Sequence, residues 1–316
     1  MDGKGHGGRN ATTGVLWAVA TATAYSMSSI LGKDLLKVLG APSLLFWRFG
    51  ISTVVLWATL ALWRRRGGPD PLAVPKRRAL FVGAMFGYMV LTGFYALKYL
   101  DASVYIVLVY LYPVLVVVAS SVLGSRVSAG TWAALAVVMT GLVLTVPQVF
   151  GGVGSVSGRG VALTMLQAGM MATFMIVSSR LLHGLDGVVQ ASWTMLGAVL
   201  AMLPLVAITG LSAPHGLDRV SEVAAFAIVT GVISTICFFR AMRQIAPGVV
   251  AMIMTAEVAL AILWSVVFLG EKVSGIKLLG AAVVIAGVLL AQWVNVREAR
   301  LQPAIDDAWQ ASTPLP

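Results

Sequence analysis

Apolar residues run through this chain in blocks of about 17 to 23, without the strict alternation of a strand and without long polar gaps. Ten such blocks can be drawn, at 14–31, 43–63, 79–97, 102–123, 129–146, 160–179, 187–209, 223–239, 248–269 and 275–294. Each has the length a helix needs to cross a hydrocarbon core of about 30 Å. Backbone polar groups in lipid are satisfied only within helices or closed barrels, and runs lacking alternation exclude the barrel. The pattern predicts an all-α polytopic membrane protein with ten transmembrane helices.

The blocks repeat. With residue n set beside n+145 or n+146, Gly14 meets Gly160 and Leu35-Leu36 meets Leu181-Leu182. Ala96 and Lys98 meet Ala241 and Arg243, Val127-Ser128 meets Val273-Ser274, and Gly141 meets Gly287. Five crossings end on the far side of the bilayer, so the second copy is predicted to be inverted. Inverted repeats about a pseudo-two-fold axis are a transporter architecture, with the substrate site near the midplane at the repeat interface. The expected organisation is a tail at 1–13, a first repeat at 14–146, a Gly/Ser-rich linker at 147–159, a second repeat at 160–294 and a polar tail at 295–316. Both tails are expected to be disordered or to lie on the membrane surface. Gly83 and Gly87 form a GxxxG in the third span, read as close helix packing.

Composition agrees: 59% of the 316 residues are hydrophobic, 11% are charged and mean hydropathy is +0.92. The formal net charge of +10 suggests nucleic acid until it is mapped. Fourteen of the 22 Lys and Arg fall on the side of the N-terminus, seven on the other, and Arg48 lies inside a span. The positive-inside rule then puts both termini in the cytoplasm and excludes nucleic acid as the partner. The basic run in 64–78 dominates the count and is expected to touch anionic membrane lipid. No cleavable signal peptide follows from the N-terminal pattern. The single Cys237 excludes an intrachain disulfide.

Polar residues inside spans carry the functional reading. Glu257, ten residues into the ninth span, is the one acid well inside a span; a carboxylate there costs on the order of 3 kcal/mol. It either hydrogen-bonds a neighbouring helix or carries a proton, which makes it the proton-coupling candidate. Arg48 either snorkels to an interface or captures a substrate carboxylate. Six of seven tyrosines lie between residues 88 and 112. Tyr88, Tyr95 and Tyr99 fall within about 40° on a helix, with Thr92 on the same stripe. Tyr105 and Tyr112 share a stripe on the fourth span. Trp17, Thr21, Tyr25 and Ser28 make one face of the first span, and Gln167 takes the place of Thr21 in the sixth. Val250, Glu257 and Trp264 form the stripe of the ninth span that corresponds to Tyr105, Tyr112 and Ala119. The candidate substrate-binding set is therefore Trp17, Thr21, Tyr25, Arg48, Tyr88, Tyr95, Tyr112, Gln167, Glu257 and Trp264. No GxxxxGK[ST], HExxH or Cys/His cluster occurs, and His6, His183 and His215 fall in a tail and loops. No catalytic residue, metal or cofactor is expected, and an intramembrane enzyme is the weakest reading, behind a channel or lipid-handling scaffold.

Several segments resemble the drug/metabolite transporter superfamily, specifically proteins with two EamA-type five-helix repeats. Leu97-Lys98-Tyr99-Leu100-Asp101-Ala102-Ser103 is similar to the family's turn before the fourth span. Leu111-Tyr112-Pro113-Val114 resembles its Leu-x-Pro, and Ala256-Glu257-Val258 occupies the Leu-Glu-Pro position of the second repeat. Leu269-Gly270-Glu271 and Phe46-Trp47-Arg48-Phe49 resemble its Gly-Glu and Arg-Phe elements. The likeness covers about 14–294. Two departures stand out. Gly124-Ser125-Arg126 lacks the acid of the first-repeat Gly-Glu. Ala256 and Val258 replace Leu and Pro, so the ninth helix is expected to lack a kink found in relatives. The resemblance implies export or exchange of small metabolites, often amino acids, across bacterial inner membranes.

Overall fold

The computed structural model describes residues 6–125, 127–146, 157–269 and 273–312. Most of the linker, Arg126 and the Gly270-Glu271 pair lie outside the described residues. Those described are helical wherever they are regular: α1 (His6–Ser26), α2 (Ser28–Arg64), α3 (Lys76–Ala96), α4 (Ala102–Val109), α5 (Tyr112–Val122), α6 (Ala129–Leu144) and α7 (Gly158–Leu181). There follow α8 (Gly187–Thr209), α9 (Leu217–Ala227), a π-helical turn (Ile228–Ile233), α10 (Ser234–Met242), α11 (Pro247–Met254), α12 (Ala256–Leu269) and α13 (Gly275–Ser312).

Among the described residues, eight helical stretches are long and apolar enough to cross a membrane, and Ala129–Leu144 is a shorter apolar helix. The first block is the weakest of the ten: Thr12, Thr13, Gly14, Thr21, Thr23, Tyr25 and Ser26 dilute α1. Its helix also ends at a turn at Met27, short of the residue 31 drawn from sequence. Within α2 the backbone breaks at Gly40, where φ is +68°, a conformation glycine adopts without a Cβ clash. The C-terminal polar segment is continuous with the last span, since α13 runs on to Ser312.

In lipid, burying apolar surface between helices gains little, so association rests on close van der Waals packing at small residues. The α6–α13 pair shows how. A Cβ at Gly141 would stand 2.5 Å from the backbone nitrogen of Val284, and one at Gly287 would stand 2.8 Å from that of Val138. A Cβ at Gly130 would meet Val294 at 2.9 Å, and one at Gly280 would meet the Thr145 nitrogen at 2.5 Å. Rising numbers on α6 meet falling numbers on α13, so the two helices are antiparallel. The contacts are also reciprocal: Gly141 with Val284 becomes Gly287 with Val138 when each residue is replaced by its repeat equivalent. A second reciprocal pair sets Gly14 against Gln244 and Ile245 and Gly160 against Tyr99 and Leu100.

Gly83 and Gly87 pack α3 onto α8, at Trp193–Gly197 and Ala198 respectively, so the GxxxG serves an intrachain contact. Between α2, α3, α7 and α10 the interior is filled by rings: Phe86 lies 5.9 Å from Phe49 and 5.2 Å from Phe174, which stacks on Phe238 at 5.7 Å. Gly141→Ala and Gly287→Ala are each expected to destabilise the protein by about 1–3 kcal/mol, because the new methyl meets backbone that cannot step aside. Denaturant unfolding in detergent measures this; a cost within 0.5 kcal/mol at both sites would show that the seam tolerates separation.

Candidate functional site

Two helices are interrupted at equivalent places. In the fourth span α4 ends at Tyr110, whose ψ is 11°, and α5 restarts at Tyr112. Pro113 explains the break: it has no N–H, so the carbonyl of Val109 loses its helical donor. In the ninth span the break falls between Met254 and Ala256. Thr255 keeps helical backbone angles (φ -64°, ψ -18°), and no proline stands at this interruption. Thr255 donates through Oγ1 to the Met252 carbonyl at 2.6 Å, and its own N–H bonds that same carbonyl at 3.2 Å. A hydroxyl competing for a carbonyl one turn back loosens the regular ladder.

Arg48 and Glu257 meet around these interruptions. Arg48 is 5% exposed and does not snorkel. Its Nη2 donates to the Thr230 carbonyl at 2.6 Å, inside the π-helical turn, where the altered ladder exposes carbonyls that a regular helix would occupy. Ser52, one turn on, donates to the Ala227 carbonyl at 3.0 Å and clamps the same segment. The guanidinium lies over the rings of Tyr25, Phe49 and Phe226 at 5.8, 5.7 and 5.4 Å. Cation–π contacts of this kind strengthen when desolvated. Arg48 Nε is buried without a partner.

Glu257 is partly buried, with the Tyr110 phenol and Arg48 within electrostatic reach. Tyr112 is 5% exposed and donates to the Ala251 carbonyl at 3.3 Å, with its ring 5.8 Å from that of Tyr110. Tyr105 donates to Gln167 Oε1 at 2.9 Å, tying the fourth span to the sixth. Trp264 donates to Ser26 Oγ at 2.8 Å, tying the ninth to the first.

Of the residues singled out from sequence, Tyr25, Arg48, Tyr112 and Glu257 therefore come together, with Gln167 and Trp264 joined to the flanking helices. The remaining four sit elsewhere. Thr21 is fully buried in a helix contact, donating to Trp17 O at 2.9 Å, with Ser234 O at 3.5 Å. Trp17 lies beneath the Arg240 guanidinium at 4.7 Å, and Tyr95 beneath the Lys98 ammonium at 4.8 Å. Tyr88 is 46% exposed, so the stripe it shares with Tyr95 does not face the interior along its whole length. Tyr110, Thr230 and Ser52 belong to the cluster and were not singled out. The tyrosine density around residue 110 was the available signal, but a stripe drawn on an unbroken helix turns Tyr110 away from Tyr112.

The two ends of the cluster differ in packing. Residues 248–254 of α11 are all buried, as are Tyr112, Pro113, Val116 and Val117 of α5. Residues 104–111, and 260, 261, 262 and 264, are partly exposed. His183 is exposed, and among the described residues no group of His, Cys, Asp and Glu could hold a metal ion. A separate cleft of about 480 Å³ is lined by Trp57, Ala61, Arg64, Arg65, Pro71 and Leu72 and shares no residue with the cluster.

A solved structure described as "Crystal structure of protein" is similar at 20% identity with a TM-score of 0.75, over 90% of this chain and 98% of that one, a likeness of fold. Among curated proteins none matches. The profile of the EamA-like transporter family matches twice, over residues 12–146 and 158–293, leaving out little besides the tails and the linker. Two copies of one profile, on a helical chain that spans the membrane several times, agree with the offset read from the sequence, and the chain belongs to the EamA-like transporter family.

Proposed function

We propose that this multi-pass membrane protein is a secondary transporter that moves a small metabolite, an amino acid or related compound, by alternating access. It works as an exporter or exchanger in the bacterial inner membrane, with ten spans in two inverted five-helix repeats and both termini cytoplasmic. The observation that carries this reading is the matched interruption of the fourth and ninth spans beside Arg48 and Glu257. Discontinuous helices meeting near the midplane at a repeat interface are where transporters of this architecture hold substrate. The antiparallel α6–α13 seam, with its reciprocal contacts, supports inversion of the repeats.

Tyr25, Tyr110 and Tyr112 would face the body of the substrate, while Arg48 and Glu257 hold charged groups or, at Glu257, a proton. The helices pack closely beyond Tyr112, where a Cβ at Gly248 would stand 3.0 Å from Val117. The family and the exposed position of His183 favour transport over catalysis.

Counterflow in proteoliposomes tests the reading. Labelled substrate is expected to accumulate transiently against its gradient when unlabelled compound is loaded inside, across a panel of amino acids, nucleosides and amphipathic drugs. Flux that is conductive and indifferent to compound on the opposite side would replace the transporter with a channel.

A further inference from the structure

A cleft of about 480 Å³ lies at the end of α2, apart from the Arg48–Glu257 cluster. Its lining combines apolar Trp57, Ala61, Pro71 and Leu72 with the cations Arg64 and Arg65. One wall is the 65–75 loop, which is held in place. Trp193 of α8 donates its indole N–H to the Pro71 carbonyl at 2.8 Å, and Trp57 meets Trp193 edge-on at 5.3 Å. Asp70 accepts from the Leu72 N–H at 3.0 Å and lies 3.6 Å from Arg64. Gly68 and Arg66 donate their backbone N–H groups to Trp63 O at 3.0 and 2.9 Å. The cleft is thus open, and its loop wall is fixed by hydrogen bonds to α2 and α8.

Charge decides the occupant. Between residues 64 and 78 stand six cations, Arg64, Arg65, Arg66, Lys76, Arg77 and Arg78, against the single acid Asp70. Side chains of all six are exposed, and among the described residues the ion pair shown for them is Arg64 with Asp70. Arginine in the lining offers a fork of N–H donors that fits phosphate oxygens. The apolar residues beside it accept an acyl chain, which a soluble anion does not need. We infer that this cleft binds one anionic phospholipid, its phosphate on Arg64 and Arg65 and the first part of an acyl chain against Trp57, Ala61 and Leu72. The site stands independently of the transport reading.

The test uses the full chain in a neutral detergent, with native mass spectrometry and thermal unfolding as readouts. Phosphatidylglycerol is expected to remain bound and to raise the unfolding temperature by mass action, where phosphatidylcholine does neither. Arg64→Gln with Arg65→Gln is expected to weaken phosphatidylglycerol binding roughly thirtyfold, from about fivefold for each charge near an anionic headgroup. The same change to Lys at both positions keeps the charge and should retain most of the affinity. Leu72→Glu is expected to weaken binding with both arginines intact. Because all three positions are exposed, unfolding without lipid checks that the variants fold. Equal retention of phosphatidylcholine, or unchanged binding by the double Gln variant, overturns the assignment. Stabilisation by inorganic phosphate alone that matches the lipid would also overturn it, in favour of a soluble anion.

Discussion

Arg48→Ala is expected to abolish transport and to destabilise the protein by on the order of 3 kcal/mol. The change strips a donor from the buried Thr230 carbonyl and removes the cation over the Tyr25 ring. It also removes the cation that faces Glu257. Truncating one member of a buried charge cluster costs on this scale because its partners stay behind without compensation. Arg48→Lys should recover part of the stability, since charge returns, and little of the transport, since a compact ammonium cannot bridge Thr230 and Tyr25 at once. Denaturant unfolding beside counterflow separates the two effects. If Arg48→Ala unfolds and transports as the parent does, the guanidinium is a passenger and the site lies elsewhere.

Glu257→Gln carries the second large effect. Glutamine matches the shape of glutamate and keeps hydrogen-bonding atoms beside the Tyr110 phenol, but it cannot exchange a proton with solvent. Exchange of substrate at equilibrium is therefore expected to persist, while the response of net transport to an imposed pH gradient disappears. Glu257→Asp should keep a pH response, because the ionisable group remains. Measured in proteoliposomes at several internal and external pH values, an unaltered pH response in Glu257→Gln would remove this residue as the coupling group. Loss of exchange and pH response together would make it a substrate contact instead.

Much of this molecule could be read from its residues in order. Block length pointed to an all-helical membrane protein because lipid leaves the backbone few alternatives, and eight described stretches are long and apolar enough to cross it. The offset that pairs Gly141 with Gly287 reappears as a physical contact, because both glycines let α6 and α13 approach to backbone distance. Glu257 and Arg48 were conspicuous because charge in a span needs a reason. What could not be read is where a helix stops being regular. Tyr110 joins Tyr112 only because the turn between them is not α-helical. The Thr230 carbonyl is available to Arg48 only through a π-helical register that no residue type announces. Thr255 breaks the ninth span with a hydroxyl, and threonines elsewhere bond one turn back in unbroken helices, as Thr173 does. Tyr88 shows the converse: helical spacing groups residues on a stripe, but not the depth at which the stripe leaves the interior.

The α6–α13 seam has the grammar of a homodimer interface, in which residue i meets j and j meets i. In a true dimer of identical halves, any change at one side of a central site appears at the other as well. Joining the halves in one chain lifts that constraint. Gly141 and Gly287 are still the same residue where the halves touch, while the equivalent positions at the centre now hold a tyrosine, Tyr112, and a carboxylate, Glu257. On the proposed transport reading, a duplicated frame would thus present unlike groups to the two ends of an asymmetric molecule.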